Sequence, residues 1–151
     1  MITREATEQD LKVLLEFEQG IVLAERPFNS TLRDGEIHYY DLLQLIKSED
    51  SLVLVTEENN EIIASGYARI KEPGNDYSNF DRYAYLGFMY VKPEYRGKGV
   101  NKLILDELIN WSKSKGLSEI RLDVYSQNES AVKAYEKAGF DSLLVTMRMK
   151  T

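Results

Sequence analysis

A strand pattern from Tyr83 to Val91 runs directly into Lys92-Pro93-Glu94-Tyr95-Arg96-Gly97-Lys98-Gly99-Val100-Asn101, and then into an amphipathic run reaching about Lys115. No other stretch restricts the fold as much, because a strand, a tight turn and a helix in direct succession force the helix to fold back onto the sheet. The same arrangement suits a polyphosphate. Glycines let backbone N–H groups converge on phosphate oxygens, and the following helix presents the positive end of its dipole. Arg96, Lys98 and Lys102 add charge at that place.

Two better-known phosphate loops are absent. The ATPase loop needs Lys and then Ser or Thr after its second glycine, and here Val100 follows Gly99. Gly97-Lys98-Gly99 supplies only the first half of the dinucleotide fingerprint, and it lies beyond residue 90, not in an opening strand–helix–strand unit.

The rest of the chain narrows the choice by exclusion. At 151 residues it is read as one domain, residues 1–151, with room for a sizeable core. With no cysteine, disulfides, zinc–thiolate sites and thiol nucleophiles are ruled out together. The single histidine, His38, rules out a multi-histidine metal site, so no metal is expected. No run of about 18 apolar residues is present, and the first residues lack the basic-then-apolar pattern of a secretory signal. The expectation is a cytoplasmic protein with no membrane partner. A net charge of −6 argues against a nucleic-acid partner and mildly favours cationic ones.

Hydrophobic periodicity orders the elements. A short strand at Met1–Arg4 precedes a helix from about Thr7 to Val22, with Leu11, Leu14, Leu15 and Glu18 at helical spacing. A turn at Asn29–Glu36 leads to a second helix, Ile37–Lys47. Ser51–Glu57 and Glu61–Lys71 form a hairpin about Asn59-Asn60, and a loop follows from Pro73 to Arg82. After the strand, turn and helix described above come a strand at Ser118–Tyr125, a helix at Asn128–Ala138 closed by Gly139, and a closing strand at Phe140–Met149. The fold class is α/β: a mixed, mostly antiparallel twisted sheet with helices on both faces, its parallel neighbours coming from the second half.

Two motifs in that half resemble a known family. Val91-x-Pro93-x-Tyr95-Arg96-Gly97-Lys98-Gly99-Val100 resembles the acetyl-CoA motif of the GNAT N-acetyltransferase superfamily, [QR]-x-x-G-x-[GA]. The stretch from Asn128 through Ala131 and Tyr135 to Gly139-Phe140 resembles its second motif, N-x-x-A-x-x-x-Y-x-x-x-G-F. They occur in the family's order, one helix and one strand apart, and the resemblance covers about residues 84–149. Asn101 departs from it, standing where the family has Gly or Ala.

The resemblance implies the GNAT acyl-CoA N-acyltransferase fold, acetyl-CoA as co-substrate, and a small-molecule amine or a peptide N-terminus as acceptor. It places the pyrophosphate at the backbone of Arg96, Gly97, Lys98, Gly99, Val100, Asn101 and Lys102. The pantetheine arm would lie along Met89, Tyr90 and Val91 and reach Asn128. Asn128 also reads as a helix N-cap, and the two roles are compatible. Tyr135 is read as the general acid toward the departing thiolate, beside the alternative of a packed core tyrosine. Asp123 matches a position where some members, notably ribosomal-protein alanine N-acetyltransferases, carry a glutamate base. It reads as a base acting through water, or as a solvated carboxylate, or as an ion pair with Arg121 or Arg69. Glu25, Asp81, Tyr90 and His38 are weaker base candidates. The alternative to an enzyme is a non-catalytic acyl-CoA-binding or sensing module, which Asn101 favours and Tyr135 opposes. Monomer and homodimer are both open.

Overall fold

A computed structural model describes residues 1–151. Its sheet has five strands in sequential order: β1 (Ile2–Glu5), β2 (Ser51–Glu58), β3 (Glu61–Lys71), β4 (Tyr83–Val91) and β5 (Ile120–Leu122). The first three pairings are antiparallel and β4–β5 is parallel, as the expected mixed sheet requires. Helices α1 (Leu11–Glu25) and α2 (Leu42–Lys47) cover one face, where Leu14, Phe17, Leu42 and Leu45 pack on Val53, Val55, Tyr67 and Phe88. Helix α3 (Val100–Ser114) covers the other, with Ile104, Leu105 and Leu108 on Leu54, Ala64, Ala68 and Leu86. Helix α4 (Glu129–Ala138) joins that second layer through Tyr135.

Strand β4 is broken in phase. Opposite β3, Ser65 faces Tyr90 and Tyr67 faces Gly87, so Gly66 stands against both Phe88 and Met89. Phe88 takes up the extra residue at φ 57°, and the Ser65 hydroxyl donates to its carbonyl at 3.1 Å. A left-handed backbone at a non-glycine residue costs about 1–2 kcal/mol. The bulge also inverts the alternation: Leu86 and Met89 pack on the α3 layer, while Phe88 and Tyr90 pack on the α1 layer.

Three expected elements differ. The second helix begins at Leu42, not Ile37. Glu18, fully buried on α1, accepts from the Tyr39 and Tyr40 N–H groups at 2.8 and 3.0 Å and from His38 Nδ1 at 2.8 Å. Those amides are thereby committed away from a helix, and Asp41 caps the shortened one by accepting from Gln44 N–H. Strand β5 is three residues long, not eight, because its only partner, β4, bulges away. The closing strand at Phe140–Met149 does not form; beyond Phe140 no backbone hydrogen bond holds the chain.

Replacing Glu18 with Ala should lower the unfolding free energy by about 2–4 kcal/mol, since hydrogen bonds to a buried charge are lost and their donors orphaned; urea denaturation measures it. The Glu18 bond, then Glu36, raises the His38 pKa. The stabilisation from His38 is therefore full below its ordinary value of about 6.5 and disappears as pH rises through the higher folded value. The stability gap between the parent chain and His38→Gln should close in alkaline buffer.

Candidate active site

The parallel ladder joins Ala84, Tyr85 and Leu86 to Ile120, Arg121 and Leu122 and then stops. Past that point β4 continues through Gly87–Val91 with nothing beside it on the β5 side. The Lys92 N–H donates to Ile63 O at 2.9 Å, which sets the phase of the ladder. Tyr90, two residues earlier, turns its own N–H to Ser65, so Val91 and Met89 direct theirs into the gap. Arg96 closes the end of this edge, its Nε donating to Val91 O at 2.9 Å and its guanidinium lying over the Tyr90 ring. Phe17 of α1 also packs on that ring, the centroids 4.6 Å apart.

The turn leaving β4 exposes its backbone. Gly97 and Gly99 have φ of 74° and 80°, values that favour glycine, and space is open beside both. Gly99 is the N-cap of α3 and supplies no side-chain acceptor, so the first N–H groups of a 15-residue helix point outward unpaired. Lys98 lies over the Tyr95 ring, whereas Lys102 turns along the helix to Asp106 at 2.6 Å. Asn101 is the second helical residue, not the cap, and its side chain makes no hydrogen bond within the chain.

Asn128 does cap α4, its Oδ1 accepting from Ala131 N–H at 3.4 Å and from the Ser130 hydroxyl at 3.3 Å, while its amide nitrogen stays free. Tyr135 packs edge-on against Phe140 in the same cluster as Met89 and Val91. Burial raises its pKa, so the phenol stays protonated. Arg69 Nε is the sole buried side-chain polar atom without a partner. The Tyr135 hydroxyl, which bonds to nothing in the chain, therefore reaches solvent.

The opposite face of the gap is lined differently. Asp123 sits just past β5 and accepts from the Tyr85 hydroxyl at 2.9 Å. It has no ion pair: Arg121 goes to Glu119, and Arg69 pairs with no carboxylate. Tyr67 and Tyr85 lie side by side, with pKa values raised chiefly by burial and further by Asp123, while Arg69 opposes the rise. Asn29 donates to the Tyr125 hydroxyl at 2.9 Å, and Phe28 stacks on that ring, so the end of α1 reaches across to the chain after β5. Glu25, at that helix end, has a pKa raised by burial and makes no ion pair. Tyr39 beside it is pushed up to about 12 by burial and then by Glu25.

Tyr67, Tyr85 and Tyr125 were not singled out in the sequence. The signal was present in the alternation Tyr67-x-Arg69 and Tyr83-x-Tyr85, which puts each pair on one face. Of the weaker base candidates, His38 is tied to Glu18 and Glu36, and Asp81 belongs to the loop at 72–82.

An open β4 edge ending in a free helix N-terminus is the arrangement the motifs imply. The Acetyltransferase (GNAT) family profile matches residues 19–140. The chain belongs to the GNAT acetyltransferase family. A curated relative, the L-methionine sulfoximine/L-methionine sulfone acetyltransferase of Salmonella typhimurium, is 30% identical over 109 residues, 71% of this chain and 58% of that protein. The chain thus spans little more than half of that relative's length. Among solved structures, a mutant BH1408 protein from Bacillus halodurans superposes with a TM-score of 0.88 at 24% identity, covering 100% of this chain and 99% of that one. A predicted acetyltransferase from Clostridium acetobutylicum, solved with acetyl-CoA, gives 0.72 at 22% identity over 99% and 95%. Both share the GNAT fold.

Gly87, where β4 parts from β5, is required by contact: a Cβ there would fall 2.3 Å from the Tyr67 ring. Gly87→Ala should cost about 1–3 kcal/mol in urea unfolding as the ring is displaced.

Proposed function

We propose that the protein is an N-acetyltransferase that moves an acetyl group from acetyl-CoA to the primary amine of a small, amino-acid-like acceptor. The observation that carries this reading is the unpaired stretch of β4, which ends in the exposed amides of the α3 N-terminus and has Tyr135 on one face and Asp123 on the other.

The backbone amides from Gly97 to Lys102 would take the pyrophosphate oxygens. Met89 and Val91 would pair with the amide-bearing pantetheine arm as a neighbouring strand does, and the free Asn128 amide would reach the same arm. Held there, the thioester lies within reach of an amine entering from the Tyr85–Asp123 face, which supplies proximity. A β4 N–H on the open side polarises the carbonyl. This role falls to Val91 or Met89, because the Tyr90 N–H faces β3. The amine nitrogen bonds to the carbonyl carbon, and the bond to sulfur then breaks. Asp123 takes the amine proton through a water, and the Tyr135 phenol gives one to the departing thiolate.

The acceptor face carries both signs of charge. Glu25 suits an ammonium group, and the guanidinium of Arg69, which pairs with no carboxylate of the chain, suits a carboxylate. Together they fit an amino acid or a close analogue, which is the kind of molecule the Salmonella relative is named for.

Acetyl-CoA at a hundred times its Kd should stabilise the fold by about 2.7 kcal/mol, seen as a higher Tm; no shift at saturating ligand would exclude the reading. Gly99→Val should weaken that binding by straining the turn. Tyr135→Phe should retain CoA affinity and lose about 100- to 10,000-fold in kcat for thiol release with an amino-acid acceptor. An unchanged kcat would return Tyr135 to a packing role. Rate loss in Asp123→Asn should shrink as pH rises and the amine needs less help.

A further inference from the structure

We propose, resting on the acetyltransferase reading above, that Arg69 and Lys71 form a carboxylate subsite that decides which amine of the acceptor is acetylated. The amine that reacts is the one remote from the acid group, as in an ω-amino acid, and not an α-amine beside it. Both residues stand on the α1 face of β3, alternating with Ala68 and Ile70. Arg69 lies opposite Tyr85 and Lys71 opposite Tyr83. The core under α1 and α2 takes in Val53 and Tyr67. One and two side-chain steps further along β3, Arg69 and Lys71 are half-buried.

Neither cation has an anionic partner in the chain. The Arg69 side chain makes no hydrogen bond: its Nε is buried without an acceptor, and its terminal nitrogens reach solvent. Lys71 pairs with no carboxylate and leans back along the strand, its Nζ 4.7 Å from the centre of the Tyr85 ring. A second positive charge thereby comes to the row that Arg69 occupies. Arg121, on the other flank of Tyr85, is already satisfied. It pairs with Glu119 at 2.8 Å and lies over the Phe80 and Tyr83 rings. Charges taken partly out of water are normally paired. In a chain of net charge −6, two unpaired cations beside one tyrosine are a local excess that an anion would remove. A guanidinium fits a carboxylate through paired N–H donors, and an ammonium adds a point charge.

Tyr85 fixes the distance from this subsite to the base. Its hydroxyl donates to Asp123 at 2.9 Å, while Lys71 lies over the ring of the same side chain. Along the sheet, Asp123 is one side-chain repeat beyond Arg121, which stands in the row of Arg69 and Tyr85, and that repeat is about 7 Å. An α-amino acid holds its nitrogen only about 2.5 Å from its carboxyl carbon. With its acid group on Arg69 and Lys71, that nitrogen stops short of Asp123. An amine carried on several methylenes spans the interval, and the Tyr67 and Tyr85 rings give those methylenes a wall. The remote nitrogen then bonds to the acetyl carbon and the carbon–sulfur bond breaks. One proton leaves the nitrogen through Asp123, one reaches sulfur, and the carboxylate is unchanged. A diamino acid reacts at its far nitrogen.

The test is thiol release by the full chain with acetyl-CoA and acceptors of equal carbon count: ε-aminocaproate, hexylamine, which lacks the acid, and norleucine, whose amine lies beside it. The kcat/KM for ε-aminocaproate is expected to be about 10- to 100-fold above that of either other amine, the size of a hydrogen bond to a charged group. The preference over hexylamine should fall by a similar factor, through KM more than kcat, in Arg69→Gln and in Lys71→Gln, and return in part in Arg69→Lys. A loss of folded protein lowers both rates together and leaves their ratio alone. If Arg69→Gln does not fold, Lys71→Gln decides. The proposal is overturned if ε-aminocaproate is not turned over, if hexylamine or norleucine serves as well, or if the preference survives either glutamine variant. The Tm shift with acetyl-CoA separates the two readings. A shift without selection for the remote amine sinks the subsite alone, whereas no shift excludes the acetyltransferase reading with it.

Discussion

The extra residue in β4 is the constraint on which the site depends. One strained residue, Phe88 at φ 57°, shifts β4 by one position against β3. Without it, β4 would stay in phase and could carry the parallel ladder with β5 along its length, leaving no gap. With it, pairing stops after Leu86, Met89 and Val91 keep free amides, and Tyr90 turns toward α1. The strain of about 1–2 kcal/mol is offset by placing Phe88, 2% exposed, in the core. Burial of the ring and opening of the gap are therefore one event. This is why a fold defined by ordinary packing can hold an edge that packing alone would close.

Much of this was legible in the sequence where the signal is local. The strand–turn–helix at Tyr83–Lys115, the hairpin about Asn59-Asn60, the Asn128 cap and the Gly139 stop all depend on neighbours a few residues away, and all are present. What the sequence concealed was set at a distance. Nothing near His38–Tyr40 announces that Glu18, some twenty positions earlier, will take their hydrogen-bond donors. Nothing in Gly87-Phe88-Met89 marks a bulge, since its φ falls on phenylalanine and not on the glycine beside it. The segment after Phe140 has a strand's alternation, but a ladder requires a partner, and sequence pattern is silent on where the partner lies.

The two faces of the gap differ in chemistry as well as in position. On the α3 side, Tyr135 sits among aliphatic groups, and burial keeps its proton on. On the α1 side, Asp123, Glu25, Arg69 and several tyrosines supply polar contacts. The Tyr135 phenol and the Asp123 carboxylate therefore lie in different surroundings on the two sides of the sheet. The sheet thus acts as a partition, and the gap in it is where the two environments meet.

The segment between α1 and α2 is fastened at both ends, and in between Asn29 accepts from the Thr31 and Leu32 N–H groups while donating to the Tyr125 hydroxyl. Arg26 holds the carbonyls of Arg33 and Gly35, Gln19 holds that of Ile37, and Glu18 holds the three residues after it. All three anchors belong to the helical stretch before the segment, and none belongs to the stretch from Ser30 to Leu32. Ser30, Thr31 and Leu32 pack in neither core layer. Substitutions at these three positions alter the surface beside Asn29 and Tyr125 and leave the packing on β4 as it is.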